Sequence, residues 1–461
     1  MKESASQAEE IWSEACYASE SPYPPFHQPF LGFTMSTRRQ FVLAGAGASL
    51  ALSNVTAQES DTKPEPKKIR LAVMGLSRGR ALALDFSSVA GVEVAYLCDV
   101  DTNRMKSAAK QLEAKNGQVA TQVVDFREAL ADPEVDALVC AAPNHWHGPA
   151  TIMACKAGKH VYVEKPCSHN PQEGEWMIEA SKKYDKLVQM GTQRRSAKGT
   201  QTAMRLMHEG AIGKVHLARC YYHNQRGPIG TGKAVEPPKE LNYSLWQGPA
   251  PDRELQSNWV HYNWHWFWHW GGGELANNGV HGLDLCRWGL GVDYPVRVVS
   301  SGGRYWFDDD QETPDTQSVC FEFEGNKQIT WDALSCNKHG PGLACSFYGD
   351  QGSLELDSDG KFRRFDRSDK LVEEGEDSSV GQAEHLQNFI DAIRANDRTI
   401  LNQPILEGHK STLLCHLGNI AYRTGRTVNT DPTNGHILDD AEQQSMWQRE
   451  YEPQWRSQVR P

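Results

Sequence analysis

From residue 69 onward, short apolar runs alternate with segments of helical pattern, and few folds accept that alternation. The runs lie at 69–74, 92–98, 135–141, 160–163 and 187–190. Helical patterns fill the spaces between them, as at 102–115 and 149–157. Strands joined through helices run parallel, and the right hand of such crossovers predicts a doubly wound α/β sheet. After about residue 192 the pattern changes. Runs at 296–306, 317–323, 328–333, 344–348 and 353–356 have connections too short for helices, which predicts a mainly antiparallel sheet. Leu386, Phe389, Ile390 and Ile393 mark one face of an amphipathic helix, and Leu413, Leu417 and Ile420 mark another. The expected organisation is a Rossmann domain over 69–191 and a carboxy-terminal α/β domain with an open sheet over 192–461.

With 461 residues, 39% hydrophobic and 23% charged, the chain has ample material for two such cores. Its net charge of -11 argues against a nucleic-acid partner, which needs a basic stripe. Ahead of the sheet pattern, Thr37-Arg38-Arg39-Gln40-Phe41-Val42-Leu43 forms a twin-arginine motif, and Val55-Thr56-Ala57 offers small residues for cleavage. The apolar run over 41–52 is too short to span a bilayer, so 35–57 reads as a leader and not an anchor. Met35 is then the expected start, with 1–34 a spurious or disordered extension and 58–68 a linker. The expected destination is periplasmic or otherwise extracytoplasmic, without membrane insertion once the leader is gone. Of 11 cysteines, 10 follow Ala57, and no CxxC or CxxH spacing marks a zinc site. They read as buried reduced thiols, which suits folding before export.

The first apolar run leads into Gly75-Leu76-Ser77-Arg78-Gly79-Arg80. A glycine turn between strand and helix is where a dinucleotide pyrophosphate docks on a helix amino terminus. The fingerprint G-x-G-x-x-G is incomplete, with Ser77 at its second glycine and Arg80 at its third. Alone, a structural turn explains Gly75 as well. Asp99 follows the second run, 24 residues after Gly75, where a carboxylate accepts bonds from ribose hydroxyls. That favours NAD, and Arg78 and Arg104 leave NADP open. Taken alone, Asp99 also reads as a strand-end turn residue.

Two further strand ends carry Ala142-Pro143-Asn144-His145-Trp146-His147 and Glu164-Lys165-Pro166. These segments resemble the "PNxxH" and "EKP" motifs of the Gfo/Idh/MocA oxidoreductases, and the similarity runs over roughly 69–425. The resemblance implies a Rossmann domain that binds NAD(P) through Pro143, Asn144, His147, Glu164 and Lys165, together with the glycine turn. It also implies an open sheet that forms an oligomer interface, and so a homodimer or homotetramer. Oxidising an alcohol carbon requires a group that takes the hydroxyl proton and polarises the oxygen. By resemblance Lys165 has that role.

The second half of the implied site is the segment from Gly271-Gly272-Gly273-Glu274 to Asp284. At 100° per residue, Asn277, His281 and Asp284 share one helical face, while Leu275, Leu283, Cys286 and Leu290 share the opposite one. In many relatives the first of these polar positions is an aspartate that works with the histidine. Asn277 departs from that pattern, because an amide cannot act as a base, and is expected to orient substrate. His281, with an ordinary pKa near neutrality, is the expected general base. Just upstream, residues 259–270 are rich in tryptophan, which suits either a carbohydrate subsite at Trp264, His265 and Trp268 or a packed aromatic hinge. His265 and His269 lack a third ligand at any clear spacing, so no metal is expected. Gly191-Thr192-Gln193-Arg194-Arg195 lies at the domain boundary, with Arg194 expected at the substrate.

These readings converge on an NAD(P)-dependent oxidoreductase acting on a hydroxyl of a sugar, glycoside or polyol. Outside the cytoplasm no pool replenishes a spent coenzyme, so the cofactor is expected to be tightly bound. A redox-assisted glycosidase or lyase on the same fold is the alternative, and a non-catalytic sugar-binding protein is a second.

Overall fold

The computed structural model describes residues 68–375 and 377–461. The expected extension and leader, and the linker up to residue 67, lie outside the described residues. Six strands, β1 (Ile69–Met74), β2 (Val92–Cys98), β3 (Thr121–Val123), β4 (Ala137–Cys140), β5 (His160–Val163) and β6 (Val188–Met190), form one sheet. Every pairing is parallel and the order is β3-β2-β1-β4-β5-β6. Strands β4 and β6 are buried throughout, as expected where helices cover both faces. Those helices are α1 (Arg78–Phe86), α2 (Thr102–Asn116), α3 (Phe126–Ala131), α4 (Asn144–Lys156) and α5 (Pro171–Lys183). The strand order reverses between β1 and β4, so a crevice opens at their carboxyl ends. The sheet pattern read from sequence missed β3, whose three residues are too few to show a period.

Beyond α6 (Lys198–His208) the chain builds a second sheet of nine strands. Strand β7 (Val215–His223) is followed, after the short helix α7 (Tyr243–Gln247), by α8 (Val280–Leu290). Then come β8 (Arg297–Gly303), β9 (Thr316–Phe323), β10 (Lys327–Leu334), β11 (Leu343–Gly349), β12 (Gly352–Asp357), β13 (Phe362–Asp366) and β14 (Leu371–Glu374), with β15 (Val428–Asn429) near the end. The order is β14-β13-β12-β11-β7-β10-β9-β8-β15, antiparallel everywhere except between β7 and β10. Burial alternates along β9, β10 and β12, so one face is a core face. Helix α8 packs on β7, β10 and β11, and α10 (Ile405–Thr424) packs on β8.

The two sheets do not divide the chain cleanly. Helix α9 (Gln382–Ala395) returns to the first sheet, where Leu386, Phe389 and Ile390 join Phe86 and Tyr162 in one core. The ring of Phe389 meets those of Phe86 and Tyr162 edge to face, at 6.4 and 5.8 Å. The apolar face predicted at 386–393 is therefore real, but it covers the Rossmann sheet. Among the described residues no helix is long and apolar enough to cross a membrane. All ten cysteines there are unpaired, and eight of them are buried.

Candidate active site

The glycine turn sits at the sheet's switch point. Gly75 has φ +84°, and a Cβ there would lie 2.5–2.6 Å from the backbone of Ala141 and Ala142. Only glycine lets the β1 turn approach the end of β4 so closely. The place of the third fingerprint glycine is taken one residue early. A Cβ on Gly79 would lie 3.1 Å from Val73 Cγ1, so Gly79, not position 80, brings helix α1 against its strand. Ser77 precedes α1, is exposed, and makes no side-chain cap. The Gly79 amide bonds to the Gly75 oxygen at 3.0 Å, and with no side-chain cap the terminus keeps the positive end of the helix dipole for a phosphate, so the residues present fit a bound dinucleotide. Asp99 accepts from the Leu76 amide at 2.6 Å and the Asp101 amide at 2.8 Å. It braces the glycine turn, and burial raises its pKa above the usual carboxylate range despite those bonds.

Two expected cofactor contacts are spent elsewhere. Arg78 donates from Nε to Glu164 Oε1 at 3.1 Å and from Nη2 to Gln382 at 2.8 Å. It therefore ties the glycine turn to the Glu164-Lys165-Pro166 loop. The buried His147 ring lies 2.7 Å from the Ala142 oxygen and 2.6 Å from the Pro166 oxygen. It staples the loops after β4 and β5, and its contact with a cofactor is corrected to a positioning role. Pro143 and Asn144 begin helix α4 beside it, with Asn144 buried.

Lys165 leaves the end of β5 and crosses to the second domain. Its Nζ donates to the backbone oxygen of Asn277 at 2.8 Å and to Asn277 Oδ1 at 3.2 Å. Burial lowers its pKa, Glu164 opposes that shift, and the Arg78 guanidinium adds to it. Asn277 belongs to a π-helical turn, Leu275–Gly279, that runs directly into α8. Such turns recur at functional sites. His281 stands one turn on, with a buried Nδ1 that has no partner. Burial, then the charges of Lys165, Arg194 and Arg78, hold it well below its ordinary pKa. That shift favours the neutral imidazole over the cation, the form that accepts a proton or a hydrogen bond. Arg194 contributes its charge from the 3₁₀ turn Gln193–Ser196, and burial lowers its own pKa.

Asp284 does not face the cleft. It lies about 4.5 Å further along the axis than His281, at 1.5 Å rise per residue. There it is buried, accepting from Arg195 at 2.8 and 2.9 Å, from Gln403 at 2.9 Å and from Ser411 at 2.6 Å. Its oxygens are fully engaged, so it is a structural anion and not a substrate ligand. The aromatic segment also divides. Trp264, Trp266, Phe267 and Trp270 are buried in a core with Tyr243 and Trp246. The packed hinge thus claims most of it, including Trp264. His265 stacks on Trp264 with centroids 3.6 Å apart, and Lys165 and Arg226 are among the charges acting on it. Trp268 lines a different cavity with His169 and Arg423. His265 and His269 bond to different carbonyls, of Tyr262 and Pro251, and do not converge.

Sequence reasoning missed a buried ion pair next to Lys165. Arg226 bonds to Glu274, and to the hydroxyls of Tyr222 and Tyr262 at 3.1 Å each, with its guanidinium 4.8 Å over Trp266. Glu274 is 3% exposed and also accepts from Asn278 at 2.6 Å. The available signal was an acid placed between a glycine run and an apolar helix, a position that must be paired if buried.

A six-stranded 3-2-1-4-5-6 sheet with a glycine turn at its switch point is the arrangement of a dinucleotide-binding Rossmann domain. The chain belongs to the Gfo/Idh/MocA family: residues 69–192 match the oxidoreductase family's NAD-binding Rossmann fold, and 230–457 match its carboxy-terminal α/β domain. It is 23% identical over 270 residues to the inositol 2-dehydrogenase/D-chiro-inositol 3-dehydrogenase of Lactiplantibacillus plantarum. That match covers 58% of this chain and 65% of the dehydrogenase, less than two thirds of its length. Among solved structures, the WlbA dehydrogenase of Bordetella pertussis, in complex with NADH and UDP-GlcNAcA, superposes with a TM-score of 0.61 at 18% identity. That superposition covers 79% of this chain and 99% of WlbA. The aldose-aldose oxidoreductase of Caulobacter crescentus, complexed with glycerol, gives 0.59 at 21% identity over 79% and 100%.

Proposed function

We propose that this protein oxidises a hydroxyl-bearing carbon of a sugar, glycoside or polyol, and that Lys165 and His281 manage the hydroxyl proton. The observation that carries the reading is Lys165, fixed by both oxygens of Asn277 beside a neutral His281 whose buried Nδ1 is unpartnered. Bound NAD supplies the hydride acceptor. The glycine turn and the uncapped α1 terminus hold its pyrophosphate, and Asp99 offers the ribose its remaining lone pairs. The depressed pKa of Lys165 makes its neutral, proton-accepting form more accessible, and in its charged form it holds the new carbonyl oxygen. Arg194, His265 and the Asn277 amide orient the other hydroxyls. The relatives named for inositol and aldose substrates favour a polyhydroxylated ligand.

The twin-arginine leader adds that the enzyme works outside the cytoplasm with a tightly held cofactor re-oxidised in the site. In that setting the redox cycle would close within the site, either between two sugars or by oxidation, elimination and reduction on one. The open face of the second sheet is the natural contact for a homodimer or homotetramer. Mass spectrometry of small molecules released on denaturing the mature protein should find near-stoichiometric NAD. Lys165→Ala should keep that dinucleotide and lose about 10²- to 10⁴-fold in turnover. Wild-type turnover in that variant would refute the assignment.

A further inference from the structure

Helix α5 begins Pro171-Gln172-Glu173, and a carboxylate in a first helical turn is ordinarily solvated while it complements the helix dipole. Glu173 is instead 0% exposed. It lies against α4 where Gly148 leaves room, since a Cβ on that glycine would lie 2.8 Å from the Glu173 Cβ. A buried charge must be paired, and the partners of this one come from two distant parts of the chain. Oε2 accepts from the His169 amide at 3.1 Å. Oε1 accepts from Arg449 Nε and from the Tyr451 hydroxyl, each at 2.9 Å, with Arg449 Nη2 2.8 Å away. The same Nη2 donates to the His145 backbone oxygen at 2.6 Å.

These bonds converge on the two loops that wall the cofactor crevice. His145 follows Pro143 and Asn144 at the carboxyl end of β4, where the strand order reverses. His169 closes the loop that leaves β5 through Glu164-Lys165-Pro166. His147 already spans the gap between the loops, through the Ala142 and Pro166 oxygens. Arg449 and Glu173 span it again, through the His145 oxygen and the His169 amide. Both ends of this second tie are backbone groups, so it acts on the path of the loops themselves. A planar guanidinium suits the task, because its rigid fork fixes two acceptors at once.

We infer that Arg449, acting through Glu173, is a positioning residue for the dinucleotide: it sets the separation of the loops after β4 and β5, and with it the shape of the crevice. The inference rests on the dinucleotide site of the proposed function and does not use the proton chemistry of Lys165.

The test is calorimetric titration of NAD into the mature protein freed of bound dinucleotide, with urea denaturation alongside, for Arg449→Lys, Arg449→Met and Val459→Ala. Lysine keeps a positive charge beside Glu173 but lacks the fork that also reaches the His145 oxygen. Arg449→Lys should therefore keep most of its stability and lose about tenfold or more in NAD affinity, the scale of one charge-assisted hydrogen bond. Arg449→Met should lose both. Val459 is buried in the same segment but near the other end of α4, where Lys156 donates to the Gln458 oxygen. Val459→Ala should lower the denaturation midpoint and leave NAD affinity unchanged. Wild-type affinity in Arg449→Lys, or in a folded Arg449→Met, overturns the proposal. So does a loss of affinity in Val459→Ala equal to that of the arginine variants, which would tie NAD binding to stability alone. Wild-type protein that takes up no NAD overturns the proposed dinucleotide site together with this inference.

Discussion

Replacing Gly75 with alanine tests the joint on which the cofactor crevice is built. The added Cβ would sit 2.5 Å from the Ala142 nitrogen and 2.6 Å from the Ala141 carbonyl, all backbone atoms at the end of β4. No rotamer change relieves that contact. An L-residue at φ +84° costs about 1–3 kcal/mol, and forced overpacking adds about 1–3 kcal/mol. The expected loss is therefore about 2–6 kcal/mol. Gly117→Ala is the matched control: φ is +75° and nothing lies within 4 Å of the new atom, so only the backbone term remains. Urea denaturation of the two variants should differ by the overpacking term, about 1–3 kcal/mol. Displacing Ala142 also moves its carbonyl away from His147 and disturbs Pro143 and Asn144. NAD titration should therefore show Gly75→Ala weakened by more than tenfold and Gly117→Ala unchanged. Equal stability losses with intact NAD binding would refute the reasoning.

Asp284→Asn leaves the buried Arg195 without its counter-charge and should lower stability by about 3–5 kcal/mol in urea denaturation, with NAD affinity retained. Asn277→Ala keeps the backbone oxygen that holds Lys165 and removes only Oδ1. Its turnover should fall about 10- to 150-fold, for about 1.5–3 kcal/mol, and less than that of Lys165→Ala. Burial holds His385 and His409 at about 4, so their neutral forms are favoured in the folded state. That stabilisation is complete above the unfolded value of about 6.5 and is lost as pH falls toward 4. Each adds up to about 1.4 kcal/mol per pH unit to the slope there. Denaturation midpoints at pH 7.5, 6 and 5 should therefore decline, and a flat profile would refute the shifts.

Periodicity revealed the sheets where burial imposed it. Strands β1, β2 and β5 coincide with the apolar runs at 69–74, 92–98 and 160–163, because strands covered on both faces are mostly apolar. The face on α9 was equally legible, but a hydrophobic stripe does not say which core it will meet. Leu386 and Phe389 lie over 200 residues after the strands they cover, and that pairing is a property of the whole packing. The aromatic segment shows the same limit. Its composition was compatible with a subsite or a hinge, and the fold used Trp266, Phe267 and Trp270 for the hinge while sending Trp268 to another cavity.

The site was legible as motifs, and its errors came from assumed regularity. A fixed fingerprint put the third glycine at Arg80, yet the close helix–strand approach is at Gly79, because it is the distance to Val73 that demands a missing side chain. A uniform 100° step put Asp284 on the cleft face. Within α8 that step holds, but three residues further along the axis Asp284 meets Arg195, Gln403 and Ser411 instead of the cleft, and only Asn277 lies in the π turn at Leu275–Gly279. Asn277, at the position where the resemblance implies an aspartate, meets Lys165 from that π turn. Carbonyls inside a regular helix are engaged by the helix's own amides. Where π gives way to α, the Asn277 carbonyl accepts from Lys165 at 2.8 Å, shorter than the 3.2 Å to its side-chain oxygen. Orientation of Lys165 thus comes mainly from backbone, which the exchange of aspartate for asparagine leaves in place, while the lost negative charge is one fewer to hold the ammonium protonated.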